Sequence, residues 1–442
     1  MEGSLPIALG SLTNLIQVYL NDNQFSGQIP AEAVRKWKSV VSIWFDNCRF
    51  SGSLPSEIGS LGFLEYLNIG RNELNSTIEF ATELGNLRNL QRLDLNSNKL
   101  YGQLPTEVGN LRALTLLSLR DNALSGTIPS EIGKLVNLSS LSLRVNALYG
   151  QLPTEFSKMN ALSWLDLSYN HLSGSIVGNM KSLTSLRLGG NMFSGLPVAT
   201  ELTTSLKFLK LHDNPLESTF PSELFALTNL EKLNLVNTSL HGELPTEVGK
   251  MTNLSAMLLQ YNHLNARIPS EIGNLNHLTT LYLDWNQFNS TIPKQLLTGL
   301  TSLQYLGIEN CSLTGTIPSE IGNLVNLSSL ALSGNRLSGP IPSELGNATR
   351  LWELLLARNQ LTSSIPEQLS NFFRLSFLDL RDNLLTGTVP RSFNEWSKIH
   401  DVHLSGNNFS HGLGNLFCSA EHLGILEADC DLFCICCTEC SR

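Results

Sequence analysis

Residues 114–137 read LTLLSLRDNALSGTIPSEIGKLVN, and the 24 residues after them, LSSLSLRVNALYGQLPTEFSKMNA, repeat the same plan. In the first copy Leu117 and Leu119 flank a polar residue, which is the pattern of a short strand with one buried face. Asn122 ends that strand, and its amide can bond backbone groups where the chain turns. One copy cannot bury its apolar side alone, so we expect the copies to stack as coils of a solenoid.

The second half of each copy is predicted to return along the opposite side of the coil. Gly126 permits a tight bend, and Ile128-Pro129 continues the chain in an extended conformation. Ile132 and Leu135 are then expected to point back into the core.

One polar residue per coil, usually asparagine, marks the end of each predicted strand. We call it the ladder residue, because stacked copies are expected to form a ladder of hydrogen bonds. Its positions predict about 17 coils, which we place in residues 13–413. They are Asn23, Cys48, Asn72, Asn98, Asn122, Asn146, Asn170, Asn191, Asn214, Thr238, Asn262, Asn286, Cys311, Asn335, Asn359, Asn383 and Asn407.

The I-P-x-x-I-G-x-L segments resemble the plant-type leucine-rich repeat class. The clearest are IPSEIGKL at 128–135, IPSEIGNL at 268–275 and again at 317–324, and IPSELGNA at 341–348. The resemblance covers nearly the whole chain. It implies an α/β repeat fold, a leucine-rich repeat solenoid forming a curved superhelix with a parallel β-sheet on its concave face. Members of this class include receptor-kinase ectodomains, receptor-like proteins and secreted inhibitors of wall-degrading enzymes.

Composition narrows the classes of function. The chain has 442 residues, of which 42% are hydrophobic and 15% charged, with a net charge of −9. That charge argues against a nucleic-acid partner, which favours a basic face. No apolar run is long enough for a transmembrane helix. Residues 1–12 match the second half of a coil and lack signal-peptide features. We therefore expect a cap and a signal peptide upstream of Met1, with any membrane attachment through a missing part.

Cysteines concentrate in residues 414–442, where the leucine pattern ends. The segment resembles the Cys-rich C-terminal caps of extracellular members of the family, although its spacing differs from the usual plant cap. An even number of cysteines favours disulfides in an oxidising compartment. A zinc site, palmitoylation or reactive thiols remain alternatives, and the pairing is open. The cysteines are Cys418, Cys430, Cys434, Cys436, Cys437 and Cys440.

Glycosylation motifs of the form Asn-x-Ser/Thr occur along the chain. Several of them arise because the repeat itself places Asn-Leu before a serine, as at Asn137, Asn253 and Asn326. Asn75 and Asn289, in Asn-Ser-Thr, are the better candidates for N-glycosylation.

Catalysis is not expected, and no cofactor or metal is predicted. His400, Asp401, His403 and His411 form the only suggestive cluster of titratable residues. Asp401 and His403 would share one face of one strand, with no expected partner on a neighbouring coil. No nucleophile motif, phosphate loop or dinucleotide-binding fingerprint occurs in the sequence.

The outward positions of the predicted strands lie six, four, two and one residues before each ladder residue. Two sets of side chains there are candidates for ligand binding on the concave face. A mixed, mildly basic stripe consists of Arg120, Arg144, Arg187, Lys210 and Lys232. A cluster of large side chains consists of Leu258, Tyr261, Tyr282, Trp285 and Tyr305. Exposed aromatic residues are enriched at binding hot spots, so the second set is the primary candidate.

The hypothesis that follows is a non-catalytic extracellular or cell-surface recognition module, which binds a protein, peptide or glycan on its concave face. A rigid scaffold of this kind keeps the ordering cost of binding low. Two alternatives remain open: a secreted inhibitor of a wall-degrading hydrolase, and a structural wall or ice-surface-binding repeat protein.

Overall fold

A computed structural model describes residues 1–78, 81–176, 180–195, 205–410, 413–414, 416–418, 420, 423–429 and 437–441. The chain forms two compact units, Met1–Leu216 and Glu217–Arg442. We call them unit 1 and unit 2 and describe each separately.

Each unit contains a parallel sheet, the main sheet, with one short strand per coil. In unit 1 the register advances by one coil from strand to strand, as in the pairing of Leu117 with Leu141. This spacing confirms the solenoid predicted from the repeat. The strands of unit 1 are Gln17–Tyr19, Ser42–Trp44, Tyr66–Asn68, Arg92–Asp94, Leu116–Ser118, Ser140–Ser142, Trp164–Asp166, Ser185–Arg187 and Phe208–Lys210.

The main sheet of unit 2 follows the same plan and extends beyond residue 413, where the leucine pattern ends. Ile425–Asp429 pairs with Asp401–His403 in parallel, and Glu439–Ser441 pairs with Ile425–Asp429. The other strands are Lys232–Asn234, Ala256–Leu258, Thr280–Tyr282, Tyr305–Gly307, Ser329–Ala331, Glu353–Leu355 and Phe377–Asp379.

A second series of short strands follows the ladder residues. In unit 1 these are Glu2–Ser4, Gln24–Gly27, Arg49–Gly52, Glu73–Leu74, Tyr101–Gln103, Ala123–Gly126, Ala147–Gly150, His171–Ser175 and Met192–Gly195. In unit 2 they are His241–Glu243, His263–Asn265, Thr314–Thr316, Arg336–Pro340, Gln360–Thr362, Thr386–Gly387 and Asn408–Phe409.

Short helices form the return segment of most coils. Each of those with a described N-cap begins after a proline, whose fixed φ suits the start of a helix. The α-helices are Ala31–Lys36, Ala81–Leu84 and Lys294–Gly299. The 3₁₀ helices are Ile7–Ser11, Ser56–Ser60, Thr106–Asn110, Ser130–Lys134, Thr154–Lys158, Ser222–Ala226, Thr246–Lys250, Ser270–Asn274, Ser319–Asn323, Ser343–Asn347, Glu367–Asn371 and Arg391–Glu395.

The ladder residue satisfies backbone groups of two coils at once, as expected. Asn122 Nδ2 donates to the carbonyls of Leu119 at 3.1 Å and Arg120 at 3.2 Å in its own coil. The same nitrogen donates to Leu95 O at 3.1 Å in the preceding coil, and Oδ1 accepts from the N–H of Leu100 at 3.0 Å. Each coil is thereby bonded to its neighbour through a side chain that is half-buried at Asn122 and that replaces water as the partner of these groups.

Leucine and isoleucine side chains fill the space inside each coil. Leu117, Ile132 and Leu135 are fully buried, and Leu119 and Ile128 are nearly so. The core therefore runs along the stack, and burial of this apolar surface is the main stabilising contribution.

The residue directly before the ladder residue adopts a left-handed conformation in coil after coil. Its φ is +58° at Asp121, +54° at Val145 and +55° at Trp285, and glycine takes the position at Gly190 and Gly334. The side chain there is directed away from the core. We call the solvent-facing side of the main sheet, formed by the four outward positions of each coil, the open face.

Candidate functional site

Tyr261 and Trp285 form a stacked aromatic pair on the open face of unit 2. Their ring centroids lie 5.8 Å apart with an interplanar angle of 14°. Tyr261 is 56% exposed and Trp285 is 51% exposed, although large aromatic residues usually bury most of their surface. The neighbouring strands of the solenoid bring together two rings that are a full coil apart in the sequence.

The backbone at both rings is in an unfavourable conformation. Tyr261 has φ of +57° and Trp285 has φ of +55°, a region that costs a residue with a Cβ atom about 1 kcal/mol. Glycine occupies the equivalent position in other coils, for instance Gly334. The left-handed backbone is common to this position in most coils, so it does not distinguish the pair. The distinguishing feature is the presence of two large exposed rings stacked on each other.

Two acidic residues are hydrogen-bonded through their backbones to the aromatic pair. Asp284 precedes Trp285, and its Oδ1 accepts the backbone N–H of Glu309 at 2.8 Å. The N–H of Trp285 donates to Glu309 O at 2.8 Å, and the N–H of Tyr261 donates to Asp284 O at 3.0 Å. These bonds connect the two rings and the two acidic residues across three successive coils. We call Tyr261, Asp284, Trp285 and Glu309 the aromatic–carboxylate site.

The environment of this site disfavours negative charge. Burial raises the pKa of Asp284 to about 6, and the nearby charge of Glu309 acts in the same direction. Burial also raises the pKa of Glu309, against the opposing effect of its hydrogen bonds with Ser333. In the described residues neither carboxylate forms a salt bridge. The site therefore holds two carboxylates without a compensating cation.

The other residues of the predicted cluster lie on the same open face but are less exposed. Leu258, Tyr282 and Tyr305 are each half-buried. Burial raises the pKa of the Tyr282 phenol, and the charge of Asp284 adds to the effect. The Tyr282 ring also extends over Gly307, since a Cβ added there would lie 2.7 Å from both Tyr282 Cδ1 and Asp284 Oδ1. Tyr282 thus forms a wall beside the buried carboxylate.

The predicted basic stripe is divided between the units, with Lys232 in unit 2 and the other four residues in unit 1. Arg120, Arg144, Arg187 and Lys210 are half-buried, and Lys232 is exposed. Arg144 lies over the ring of Tyr169 at 5.0 Å, and Arg187 lies over the ring of Trp164 at 5.4 Å. Two of the predicted basic residues, Arg144 and Arg187, therefore already contact aromatic rings of their own chain.

A histidine completes the Arg144–Tyr169 contact in unit 1. Nε2 of His212 lies 3.4 Å from the hydroxyl of Tyr169. Burial lowers the pKa of His212, and although Asp213 opposes this effect, the positive charge of Lys210 reinforces it. In this cluster the aromatic ring of Tyr169 is contacted by both Arg144 and His212, although Nδ1 of His212 is buried without a hydrogen-bond partner among the described residues.

Four important residues were not selected from the sequence. Trp164 and Tyr169 hold the arginines of unit 1, and Asp284 and Glu309 border the aromatic pair of unit 2. All four occupy outward positions of the repeat, so the register that selected Trp285 contains them as well. Their importance lies in contacts between coils, which a single repeat does not show.

The titratable residues near the C-terminal end form a structural network. Glu427 accepts hydrogen bonds from Ser405 Oγ at 2.5 Å and from His403 Nδ1 at 2.8 Å, and Arg381 lies 3.4 Å away. The expectation that His403 has no partner on a neighbouring coil is wrong, because Ile425–Asp429 continues the sheet beside it. Ser405 bonds the carboxylate and not the imidazole, so these groups lack the nucleophile–base order of a hydrolase.

This network favours the ionised form of Glu427. Burial alone would raise the pKa of Glu427, yet the hydrogen bonds from Ser405 and His403 and the charge of Arg381 hold it below the ordinary value of 4.5. His400 Nδ1 lies 2.8 Å from Asp401, whereas His411 lies outside the described residues. In the part of the chain that the structure describes, no group of three or more His, Cys, Asp or Glu side chains is arranged to hold a metal ion.

Two of the terminal cysteines, Cys418 and Cys437, are disulfide-bonded. Cys430, Cys434 and Cys436 and the side chain of Cys440 lie outside the described residues. Complete oxidation of the six cysteines stays a prediction.

The glycosylation motifs separate into two kinds. Nδ2 of Asn137, Asn253 and Asn326 donates to a backbone carbonyl of the preceding coil at 2.9, 2.9 and 3.0 Å. A glycan would be attached to that same nitrogen, so a structural role explains these residues. Asn75 and Asn289 are exposed, and Asn75 uses Oδ1 to accept the N–H of Gly52 at 3.0 Å. Glycosylation at these two positions stays a prediction.

The stacked coils, the ladder and the parallel main sheet define the class of repeat proteins known as solenoids. Family models agree with this architecture. A leucine-rich repeat region matches residues 82–189, and a leucine-rich repeat matches residues 39–61, 302–324, 326–348 and 374–396. The chain belongs to the plant-type leucine-rich repeat family.

Receptors are prominent among its relatives. The chain is 31% identical to Receptor-like protein 39 of Arabidopsis thaliana over 105 residues, which are 23% of this chain and 12% of that protein. The plant peptide hormone receptor RGFR1 in complex with RGF2 is 31% identical, with a TM-score of 0.84 over 97% of this chain and 73% of that chain. The leucine-rich repeat ectodomain of the Arabidopsis receptor kinase HAESA with an IDA peptide hormone is 27% identical, with a TM-score of 0.70 over 97% and 81%. Within the described residues, no helix is long and apolar enough to cross a membrane.

Proposed function

We propose that this chain is the ligand-binding region of an extracellular or cell-surface receptor-like protein, and that the open face of its main sheet binds a peptide. The function is recognition and not catalysis. The partner is a peptide or a protein segment in an extended conformation, with no role for nucleic acid.

One observation carries the proposal, namely the exposed stack of Tyr261 and Trp285. Aromatic residues that supply a large contact area with few rotatable bonds are enriched at binding hot spots. The pair lies on the open face, where the solenoid presents side chains from several coils to one ligand. Both rings are more than half exposed, so their apolar surface is available to a ligand and contributes little to the core.

The relatives support the same proposal. RGFR1 and HAESA were each solved with a peptide hormone, and both cover almost all of this chain in fold. The disulfide-bonded state of Cys418 and Cys437 is consistent with an oxidising, extracellular location.

Selection of peptides tests the proposal directly. A random peptide library is displayed and selected on the immobilised wild-type chain, and the affinities of the recovered peptides are measured by calorimetry. Trp285→Asn removes the ring while placing a residue that tolerates the left-handed conformation. We expect this variant to lose about 30-fold in affinity, the usual effect of a hot-spot residue.

Tyr169→Asn is the matched control. Tyr169 also precedes a ladder residue, has φ of +57° and is 45% exposed, but its ring is covered by Arg144. We expect this variant to bind the selected peptides as the wild type does. Peptides that bind both variants equally well, or a library that yields no binder, would refute peptide recognition at the aromatic pair.

A further inference from the structure

Three aromatic rings on the open face of unit 1 lie under arginine side chains, whereas within the described residues the stacked pair of unit 2 does not. In unit 1, Arg144 covers Tyr169, Arg187 covers Trp164, and Arg92 lies 5.6 Å from the centroid of Trp44. Among the described residues, no arginine or lysine covers Tyr261 or Trp285 in unit 2. The face of a tryptophan or tyrosine ring attracts a cation because of its quadrupole. The stacked pair thus retains the ring surface that unit 1 fills with its own arginines.

The residues next to the stacked pair, Asp284 and Glu309, are acidic, and a negative charge attracts a cation. Asp284 and Glu309 occupy the same outward position in adjacent coils. Asp284 Oδ1 accepts the backbone N–H of Glu309. In the described part of the chain neither is bridged by lysine or arginine, whereas Asp379 of the same open face pairs with Arg381 at 2.9 Å. The unit therefore balances the charge of Asp379 internally and leaves that of Asp284 and Glu309 unbalanced.

Several outward positions of the coils after the site carry small residues, although the exposed Arg358 also lies among them. The small side chains include Ala331, Ser333 and Ala357. Glu353, on the strand after Ala331, adds a further carboxylate and accepts a hydrogen bond from Ser329 Oγ.

We propose that the aromatic–carboxylate site binds the guanidinium group of an arginine in a peptide ligand. A guanidinium is planar and stacks on an aromatic face, while its N–H groups pair with carboxylates in a fixed geometry. Tyr261 and Trp285 supply the aromatic surface, and Asp284 and Glu309 supply the acceptors. The inference rests on the proposed peptide-binding function and names the side chain that the site selects.

The test uses the peptides selected on the wild-type chain. We expect arginine to be enriched at one position of the recovered sequences. Synthetic versions of the best binder carry arginine, lysine or citrulline at that position, since citrulline has nearly the shape of arginine without its charge. Citrulline is expected to weaken binding at least about tenfold, because the charge-assisted hydrogen bonds and the cation–π contact are lost together.

Variants of the chain locate the effect. In Glu309→Gln and in Asp284→Asn the arginine and citrulline peptides should bind with nearly equal affinity, because the charge that the guanidinium pairs with has been removed. Asp121→Asn is the matched control, an exposed acidic residue at an outward position of unit 1. The penalty for citrulline should be unchanged in this variant.

The outcomes separate the two proposals. Peptides that require Trp285 but tolerate citrulline overturn the arginine inference and leave peptide recognition standing. Equal binding of the lysine peptide overturns the preference for a guanidinium. Selected peptides that are indifferent to Trp285→Asn overturn both proposals together.

Discussion

Replacement of Asp284 by asparagine is expected to stabilise the protein at neutral pH. The ordinary pKa of an aspartate is 3.8, and burial raises that of Asp284 to about 6. Each pH unit between the two values corresponds to about 1.4 kcal/mol, so the ionised carboxylate costs up to about 3 kcal/mol in the folded state. Asparagine removes the charge and retains an oxygen that accepts the N–H of Glu309. We expect a gain of about 1 to 3 kcal/mol at pH 8.

The pH dependence follows from the direction of the pKa change. Between pH 4 and 6 folded Asp284 binds more protons than the unfolded chain, because its folded pKa is the higher one. The stability of the wild type relative to the variant therefore falls as pH rises through this range. Well below the unfolded pKa of 3.8, at about pH 2.5, both states of Asp284 are protonated, and the ionisation difference between wild type and variant should disappear.

Hydrogen exchange is the appropriate assay, because a solenoid unfolds through contacts between neighbouring coils and its stability varies along the stack. Amides of Thr280–Tyr282 and Tyr305–Gly307 are compared in wild type and Asp284→Asn at the same pH. A gain of 1 to 3 kcal/mol slows exchange by about 5- to 150-fold at pH 8. Asp121→Asn serves as the control and should alter exchange little.

Two results would refute this reasoning. Equal or faster exchange in Asp284→Asn at pH 8 would show that the carboxylate is not destabilising. A difference that persists in full at about pH 2.5, well below the unfolded pKa of 3.8, would show that the effect does not come from ionisation.

Three further perturbations test other parts of the molecule. Asn122→Ala should destabilise its coils by about 3 kcal/mol in urea unfolding. Asn137 is exposed and makes a single backbone bond, so Asn137→Ala should cost less than about 1 kcal/mol. Equal costs for the two variants would exclude the ladder as the cause. Glu427→Gln should reduce protection of the C-terminal coils by about 1 kcal/mol at pH 7 and by less at pH 3. The lowered pKa of Glu427 supplies stability that is present above its ordinary 4.5 and is lost as pH falls through the folded pKa. A loss of protection that is the same at both pH values would show that the charge of Glu427 is not its cause. All six cysteines in residues 418–440 are expected to be oxidised. Alkylation of the unfolded chain without reductant should therefore label only Cys48 and Cys311, and prior reduction should add six labels. Six free thiols in residues 418–440 would contradict this prediction.

Much of the fold follows from local sequence because the chain is built from repeats. Each coil contacts chiefly its neighbours, so one copy contains nearly all the information needed to place the next. Leu117, Asn122 and Pro129 specify a strand, a ladder bond and a return segment without reference to distant parts of the chain. The structure confirms these assignments in their register and their burial.

The C-terminal end shows where local pattern fails. Ile425–Asp429 lacks the full leucine pattern, yet it pairs with Asp401–His403 at the same one-coil step. Pairing here depends on the exposed edge of the preceding strand, which any compatible extended segment can extend. Glu427 thereby reaches His403, a contact that the sequence did not predict.

The sequence by itself determined which side chains face solvent, because outward and inward positions alternate along every strand. It therefore placed Tyr261 and Trp285 together on the open face. Only the tertiary structure decided which of those side chains are satisfied. Arg144 covers Tyr169 in one unit, whereas Asp284 and Glu309 lie beside an uncovered aromatic pair in the other. Charge balance and ring contacts depend on distances of a few ångströms between coils, and these distances follow from packing and not from the repeat.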